Sequence, residues 1–95
     1  MENKNYELSI HAQNSIRDRK IKIEWLENCL NSPDKIELDQ IDGTVIHHLK
    51  VITEANTKVL RLVLRWNKEK ISALIITVFF DKRLRRENLG EKNGY

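Results

Sequence analysis

Three consecutive β-type runs, joined by short polar links, restrict this chain to few folds. The runs cover residues 45–53, 58–66 and 71–80. The links between them, 54–57 and 67–70, have hairpin length, which predicts that neighbouring runs pair antiparallel. The stretch 73–80 is apolar on both of its faces, which is typical of a central strand covered on both sides.

Two helices are predicted ahead of these strands. Ser9 suits the N-cap of a helix over 10–19, and a second helix over 23–30 should end before the turn at 31–34, because the residue preceding a proline avoids the helical region. Residues 6–10 fit a short extended lead-in or first strand, and 35–42 fit an irregular crossing or a short strand. The expected fold is α+β: two N-terminal helices packed on a twisted antiparallel sheet of three to four strands.

Length and charge favour one domain with an uneven charge distribution. The 95 residues are expected to form a single domain with a basic, partly frayed tail from about residue 82. Residues 1–56 hold 7 Lys/Arg against 10 Asp/Glu, or −3, whereas residues 57–95 hold 10 against 4, or +6. The basic part, residues 57–95, is either a solvated basic surface or a binding surface for a polyanion.

The run 58–66 supplies a reason to consider nucleic acid. Successive strand side chains alternate between faces, so Arg61 and Arg65 share one face with valines, while the leucines and Trp66 share the other. Two guanidinium groups on a half-apolar face are suited to binding phosphate. Four further cations follow the last strand: Lys82, Arg83, Arg85 and Arg86.

The histidines and the cysteine do not indicate a metal site. His47 and His48 are adjacent in a strand and point to opposite faces. Cys29, the single cysteine, excludes an intrachain disulfide, and no paired Cys-x-x-Cys or His-x-x-x-His spacing is present. Neither a metal nor a cofactor is expected. No apolar run is long enough to span a membrane and no signal peptide is recognised, so a cytoplasmic protein without a membrane partner is expected.

Two polar residues have alternative interpretations. His11, at the start of the first helix, is either a surface histidine or an acid–base group or phosphate contact favoured by the partial positive charge of the helix terminus. Thr77 interrupts the apolar run, so its hydroxyl either bonds to backbone or lies near the ligand of the arginines, on a face shared with Ile75 and Phe79.

The order of several short motifs resembles a family of small bacterial proteins of unknown function, which is similar to the RelE/BrnT-type toxins. The motifs are Ser9-Ile10-His11-Ala12 with Arg19, then Ile23-Glu24-Trp25-Leu26, Asn31-Ser32-Pro33, Val59-Leu60-Arg61-Leu62-Val63 and Ile75-Ile76-Thr77-Val78-Phe79-Phe80-Asp81. The resemblance covers about residues 6 to 86.

This resemblance implies a RelE-like fold and a toxin of a toxin–antitoxin pair, which cleaves RNA, free or on the ribosome, and is controlled by a cognate antitoxin. Cleavage would be metal-independent, by attack of the ribose 2′-hydroxyl on the adjacent phosphate. The matching catalytic positions are His11, Arg61 and Thr77. The matching RNA-binding positions are Arg19 and His47, and Arg65 joins Arg61 as a phosphate clamp. In such an enzyme the four cations after the last strand would hold the flanking RNA backbone: Lys82, Arg83, Arg85 and Arg86.

Two departures from the family pattern leave a second function open. Ser15 stands where the pattern has an arginine, and Phe79 stands where it has an aromatic hydroxyl. The alternative is therefore a catalytically weak or inactive RNA- or protein-binding module of the same fold. A third interpretation is a structural or dimer-forming protein whose basic tail serves solubility.

Overall fold

A computed structural model of the chain describes residues 5–90, which form one five-stranded sheet with three α-helices and a short 3₁₀ helix (Thr53–Ala55). The elements, in chain order, are β1 (Tyr6–Leu8), α1 (Ile10–Arg19), α2 (Ile23–Asn31), β2 (Lys35–Leu38), β3 (Val45–Ile52), β4 (Lys58–Asn67), β5 (Ser72–Phe80) and α3 (Arg86–Gly90). The α+β class and the two helices packed on a sheet are confirmed.

The sheet has the order β1-β5-β4-β3-β2, which corrects the predicted three to four antiparallel strands. The helices carry the chain from β1 at one edge to β2 at the other. The meander β2–β3–β4–β5 then returns, so the last strand lies beside the first and runs parallel to it. The sheet is therefore mixed. β4 is its middle strand, and β5 is also an interior strand because it lies between β1 and β4.

The main core lies between the two helices and one face of the sheet. Buried side chains of α1 and α2, including Ala12 and Leu26, pack against Leu60, Leu62 and Leu64 of β4. These leucines alternate with Arg61 and Arg65, which consequently point to the opposite side. We call that opposite side the arginine face.

Ser9 fixes the start of α1 to β5. Its hydroxyl oxygen accepts a hydrogen bond from the Ala12 backbone N–H at 2.9 Å, as expected for an N-cap, and its hydroxyl donates to the Ile76 carbonyl at 2.8 Å. Ile76 is the extra residue of a β-bulge, because Val63 pairs with Thr77 whereas the next residue, Leu64, pairs with Ile75.

A second, smaller core covers part of the arginine face. Leu89 of α3 packs with Leu49 and Val59, and Leu84 lies against the same cluster. Within the tail that was expected to be partly frayed, residues 86–90 form the helix α3, and residues 91–95 lie outside the described part of the chain. Within the described residues, no helix is long and apolar enough to cross a membrane.

Candidate functional site

Arg61 is the centre of a charged cluster on the arginine face. Its side chain is 10% exposed, and its Nε donates to Asp81 Oδ2 at 2.8 Å. The Asp81 carboxylate also accepts from the backbone and the guanidinium of Arg83. The hydrogen bonds from Arg83 and then Arg61 hold the pKa of Asp81 well below its ordinary value, although burial opposes this. One carboxylate therefore binds two arginines.

His47 joins Arg61 to a second carboxylate. Arg61 Nη1 lies 2.8 Å from His47 Nδ1, and His47 Nε2 lies 2.8 Å from Asp39 Oδ1. A guanidinium can only donate, so Nδ1 accepts the hydrogen bond from Arg61, and Nε2 carries the ring hydrogen and donates a hydrogen bond to Asp39. The backbone N–H of Asp42, the His47 ring and the backbone N–H of Ile41 lower the pKa of Asp39 to about 2. Both ring nitrogens of His47 are therefore engaged within the protein.

This cluster lines a cleft of about 520 Å³, which we call the His47 cleft. Its lining residues are Glu37, Leu38, Asp39, Gln40, Ile41, His47, Arg61, Arg83 and Leu84. Two arginines face two carboxylates there, and Glu37 lies 3.4 Å from Arg61 Nη1. Because Asp81 adds a third carboxylate to the same arginines, the cleft carries no excess of positive charge.

A neighbouring groove of about 400 Å³ is basic, and we call it the basic groove. Its lining residues are Asn56, Thr57, Lys58, Val59, Phe80, Asp81, Lys82, Leu84, Arg85, Arg86 and Glu87. Four cations stand against two acids, or +2, and the carboxylate of Asp81 is already bound to Arg61 and Arg83. Leu84 lines both this groove and the His47 cleft, so the two sites adjoin.

One wall of the basic groove is a strained turn. Asn56 and Thr57, between β3 and β4, both have a φ of 60°. Asparagine tolerates this left-handed conformation, but a β-branched threonine rarely adopts it. The turn therefore holds Lys58 at the mouth of the groove at a cost in backbone energy, and Lys58 Nζ lies 5.5 Å from the centre of the Phe80 ring.

The structure separates the catalytic residues that the sequence suggested. His11 is exposed in the first turn of α1, in the helix layer, whereas Arg61 lies on the other face of the sheet. Arg19 is exposed in the last turn of α1, about 12 Å along the helix axis from His11. His11 and Arg61 are thus not brought together in one site.

Thr77 and Arg65 are placed on the arginine face. The bulge at Ile76 turns Thr77 away from Ile75, so the expectation that Thr77 shares a face with Ile75 is wrong, whereas its location beside the arginines is observed. Arg65 is exposed and bonds to Asp42 and Thr44 at the end of the strand. It lies about 13 Å from Arg61 along β4, and the two guanidinium groups are bonded to different carboxylates, Asp81 and Asp42, so the structure does not bring them together.

His48 has a structural position in the main core. It is 5% exposed and its Nδ1 lies 3.1 Å from the Cys29 carbonyl, while the Cys29 thiol lies 3.4 Å from the His48 carbonyl. Burial lowers the pKa of His48, and it raises the pKa of Cys29 to about 12. These groups link α2 to β3. Among residues 5–90, no three His, Cys, Asp or Glu side chains lie close enough to hold a metal ion.

Sequence reasoning missed the three carboxylates of the cluster: Glu37, Asp39 and Asp81. One signal was present, because an arginine within an apolar strand needs a buried counter-charge. Asp81 directly follows the neighbouring apolar run, so it was one acid that this rule could have identified.

The chain matches a family model described as a domain of unknown function (DUF4258) over residues 8–80. The match covers most of the chain, so the protein belongs to this family. The resemblance to a family of small proteins of unknown function is thereby confirmed. No curated protein matches the chain.

Proposed function

We propose that this member of the DUF4258 family binds single-stranded RNA, with phosphates held in the basic groove. The observation that carries this proposal is the groove itself, where Lys82 and Arg86 are exposed beside Lys58 and Arg85. A chain of phosphates is attracted to a site with excess positive charge, and single-stranded RNA can bend into a groove at the end of a sheet.

The His47 cleft is less suited to holding phosphate. Its two arginines are already paired with carboxylates, so an incoming phosphate would have to compete with Asp81 and Glu37. The two cations predicted as a clamp, Arg61 and Arg65, are each bonded to protein carboxylates. Binding in the groove displaces none of these pairs.

RNA cleavage is a second candidate function, and the pair formed by Asp39 and His47 favours it. A carboxylate that accepts a hydrogen bond from one ring nitrogen orients an imidazole and stabilises its charged form. If RNA draws Arg61 Nη1 away, His47 Nδ1 becomes a proton acceptor for a ribose 2′-hydroxyl. RNA in the basic groove would reach this cleft past Leu84.

This second function would make the protein a toxin of the RelE/BrnT type, with a RelE-like fold, a cognate antitoxin and a cytoplasmic RNA target. The α+β architecture with two helices on one face of a sheet is consistent with that relationship. Phe79 in place of the aromatic hydroxyl favours binding without cleavage.

Anisotropy of a fluorescein-labelled single-stranded RNA over a series of salt concentrations tests the binding proposal. The double variant Lys82→Ala/Arg86→Ala should lower the affinity for RNA about tenfold. It should also make the slope of log affinity against log salt concentration shallower, by the equivalent of roughly one to two phosphate contacts. The control, Lys68→Ala/Lys70→Ala, removes the same charge from the exposed turn at the other end of β4 and should bind as the wild type does. Equal loss in both variants would contradict a site in the groove.

Gel analysis of the same RNA separates binding from cleavage. His47→Gln preserves a donor toward Asp39 and an acceptor toward Arg61, so it should fold and bind RNA. Cleavage by the wild type and not by His47→Gln would establish the second function at the His47 cleft. Cleavage that survives in His47→Gln and is lost in His11→Ala would place the chemistry at His11, and intact RNA throughout would leave the protein a binding module.

A further inference from the structure

We propose that the His47 cleft binds a guanine base of the RNA whose phosphates lie in the basic groove. This inference rests on the proposed function and adds base recognition to it, and it does not require cleavage. The base of a nucleotide projects away from its phosphate, and Leu84 lines both sites. A strand held in the groove can therefore extend one base past Leu84 into the cleft.

The charge and lining of the cleft suit a base better than a phosphate. Its two arginines are matched by three carboxylates, so the cleft does not attract an anionic group. Ile41, on the loop after β2, is 95% exposed, and Leu84 is half-buried in the lining. Both side chains offer apolar surface to the planar face of a base. The volume of about 520 Å³ is in the range of pockets that hold small molecules.

Glu37 supplies hydrogen-bond acceptors to the cleft. Its carboxylate lies 3.4 Å from Arg61 Nη1 and 3.6 Å from Lys35 Nζ, and it accepts no other hydrogen bond from the described residues. A carboxylate has about four acceptor positions, so roughly two remain on Glu37. Its side chain is 38% exposed, against 28% for Asp39 and 2% for Asp81. Glu37 is therefore the most open of the three carboxylates.

Arg83 supplies hydrogen-bond donors. Its Nε and Nη2 bond to the two carboxylate oxygens of Asp81, at 3.0 and 2.8 Å, which fixes the plane of an otherwise exposed guanidinium. Its Nη1 has no hydrogen-bond partner among residues 5–90, and Nη2 has a second hydrogen to donate. Asp81 and, to a smaller extent, Glu37 raise the pKa of Arg83. Arg83 and Glu37 thus present opposite charges to the same cleft.

This pair of side chains matches the edges of guanine. Guanine is the RNA base that carries two adjacent donors, N1–H and N2–H, which one carboxylate accepts together. Its acceptors O6 and N7, on the adjoining edge, form the contact that arginine most often makes with a base. Adenine, cytosine and uracil each place an acceptor beside their donor, and that acceptor would face the carboxylate. In the proposed complex Glu37 accepts from N1–H and N2–H, and Arg83 donates to O6 and N7.

Competition of unlabelled pentanucleotides against the fluorescein-labelled RNA tests the base preference. The wild type should bind UUGUU about tenfold more tightly than UUAUU or UUUUU. UUIUU, in which inosine lacks only the N2 amino group of guanosine, should bind with intermediate affinity. Glu37→Gln should abolish the preference for UUGUU over UUUUU. Glu24→Gln, the same change at an exposed position of α2, should keep the wild-type ratio of affinities.

The histidine ring signals in NMR spectra locate the bound base. His47 lines the cleft, whereas His11 is exposed in the helix layer and His48 is buried in the main core. UUGUU should shift the His47 signals more than UUUUU does, and neither pentanucleotide should shift those of His11.

Equal affinity for all pentanucleotides, weakened throughout by Lys82→Ala/Arg86→Ala, would overturn the guanine site and leave the proposed function intact. A preference for guanosine that Glu37→Gln keeps, a preference for another base, or a shift confined to His11 would also overturn it. If no pentanucleotide binds, the proposed function and this inference both fail.

Discussion

The pair of Arg61 and Asp81 shows how much burial changes the role of an ion pair. The two side chains are 10% and 2% exposed, whereas those of Arg17 and Asp18 are 70% and 63% exposed. Removing one member of a buried pair leaves a charge without a partner in a poorly hydrated place, while an exposed pair contributes little. The buried pair therefore fixes the arginine face, and the exposed pair does not matter to it.

We expect Asp81→Asn to lower the free energy of unfolding by about 3 kcal/mol at neutral pH, because two arginines lose their carboxylate. The matched control, Asp18→Asn, should change it by less than about 0.5 kcal/mol. Urea denaturation followed by tryptophan fluorescence measures both. A loss of similar size in the two variants would show that burial does not decide the outcome.

The same variant has a defined pH dependence. The folded-state pKa of Asp81 is lowered from its ordinary value of 3.8, so the folded protein binds fewer protons than the unfolded chain as the solution becomes acidic. The stabilisation is complete above the unfolded pKa and is lost as the pH falls through the folded one. The difference between wild type and Asp81→Asn should thus be constant at neutral pH and shrink below about pH 4; a difference that persists to strong acid would contradict the linkage.

At the scale of elements, one serine connects α1 to the bulged part of β5. Ser9 accepts from the helix and donates to the strand with the same hydroxyl, and its own backbone N–H bonds to the Ile75 carbonyl at 3.0 Å. The bulge at Ile76 turns Thr77 to the arginine face, so this junction determines which residues the arginines have beside them.

Ser9→Ala should lower the free energy of unfolding by about 1–2 kcal/mol, because it removes the cap and the bond to Ile76. Ser9→Asp keeps an oxygen for the cap but cannot donate to Ile76 when ionised, so it should recover only part of this loss. Urea denaturation of both variants, with Ser32→Ala in an exposed position as control, measures the two contributions. Equal stability of Ser9→Ala and the control would show that the junction contributes little.

The sequence was sufficient to predict the helices and strands, which depend on local periodicity. It was not sufficient to predict contacts between residues that lie far apart along the chain. The hairpin-length links and the Ser9 cap predicted the order of helices and strands correctly, because turn and cap chemistry is local. The parallel pairing of β1 with β5 joins residues more than sixty positions apart, and the bulge at Ile76 has no composition signal. For the same reason Arg61 was identified, but its partners Glu37 and Asp81 were not.

At the scale of the whole molecule, the C-terminal segment 81–90 has two roles that share the same residues. Leu84 and Leu89 cover the second core, while Lys82, Arg85 and Arg86 of the same segment line the basic groove. The groove therefore exists only while the segment is packed on Leu49 and Val59. A ligand that binds the groove should stabilise the folded chain, because it binds the folded state alone.

Leu89→Ala should consequently weaken folding and RNA binding together. Leu89 is 3% exposed, so its truncation should lower the free energy of unfolding by about 2–3 kcal/mol, and the loosened segment should hold the groove cations less well. Ile10→Ala, at an exposed position of similar size in the helix layer, should change neither property. Thermal unfolding of all three proteins with and without single-stranded RNA makes the comparison: RNA should raise the midpoint of the wild type and of Ile10→Ala, and raise that of Leu89→Ala less. If Leu89→Ala is destabilised but gains the full increase with RNA, the phosphates bind elsewhere, since a site carried by this segment cannot keep its affinity once the segment has lost its anchor.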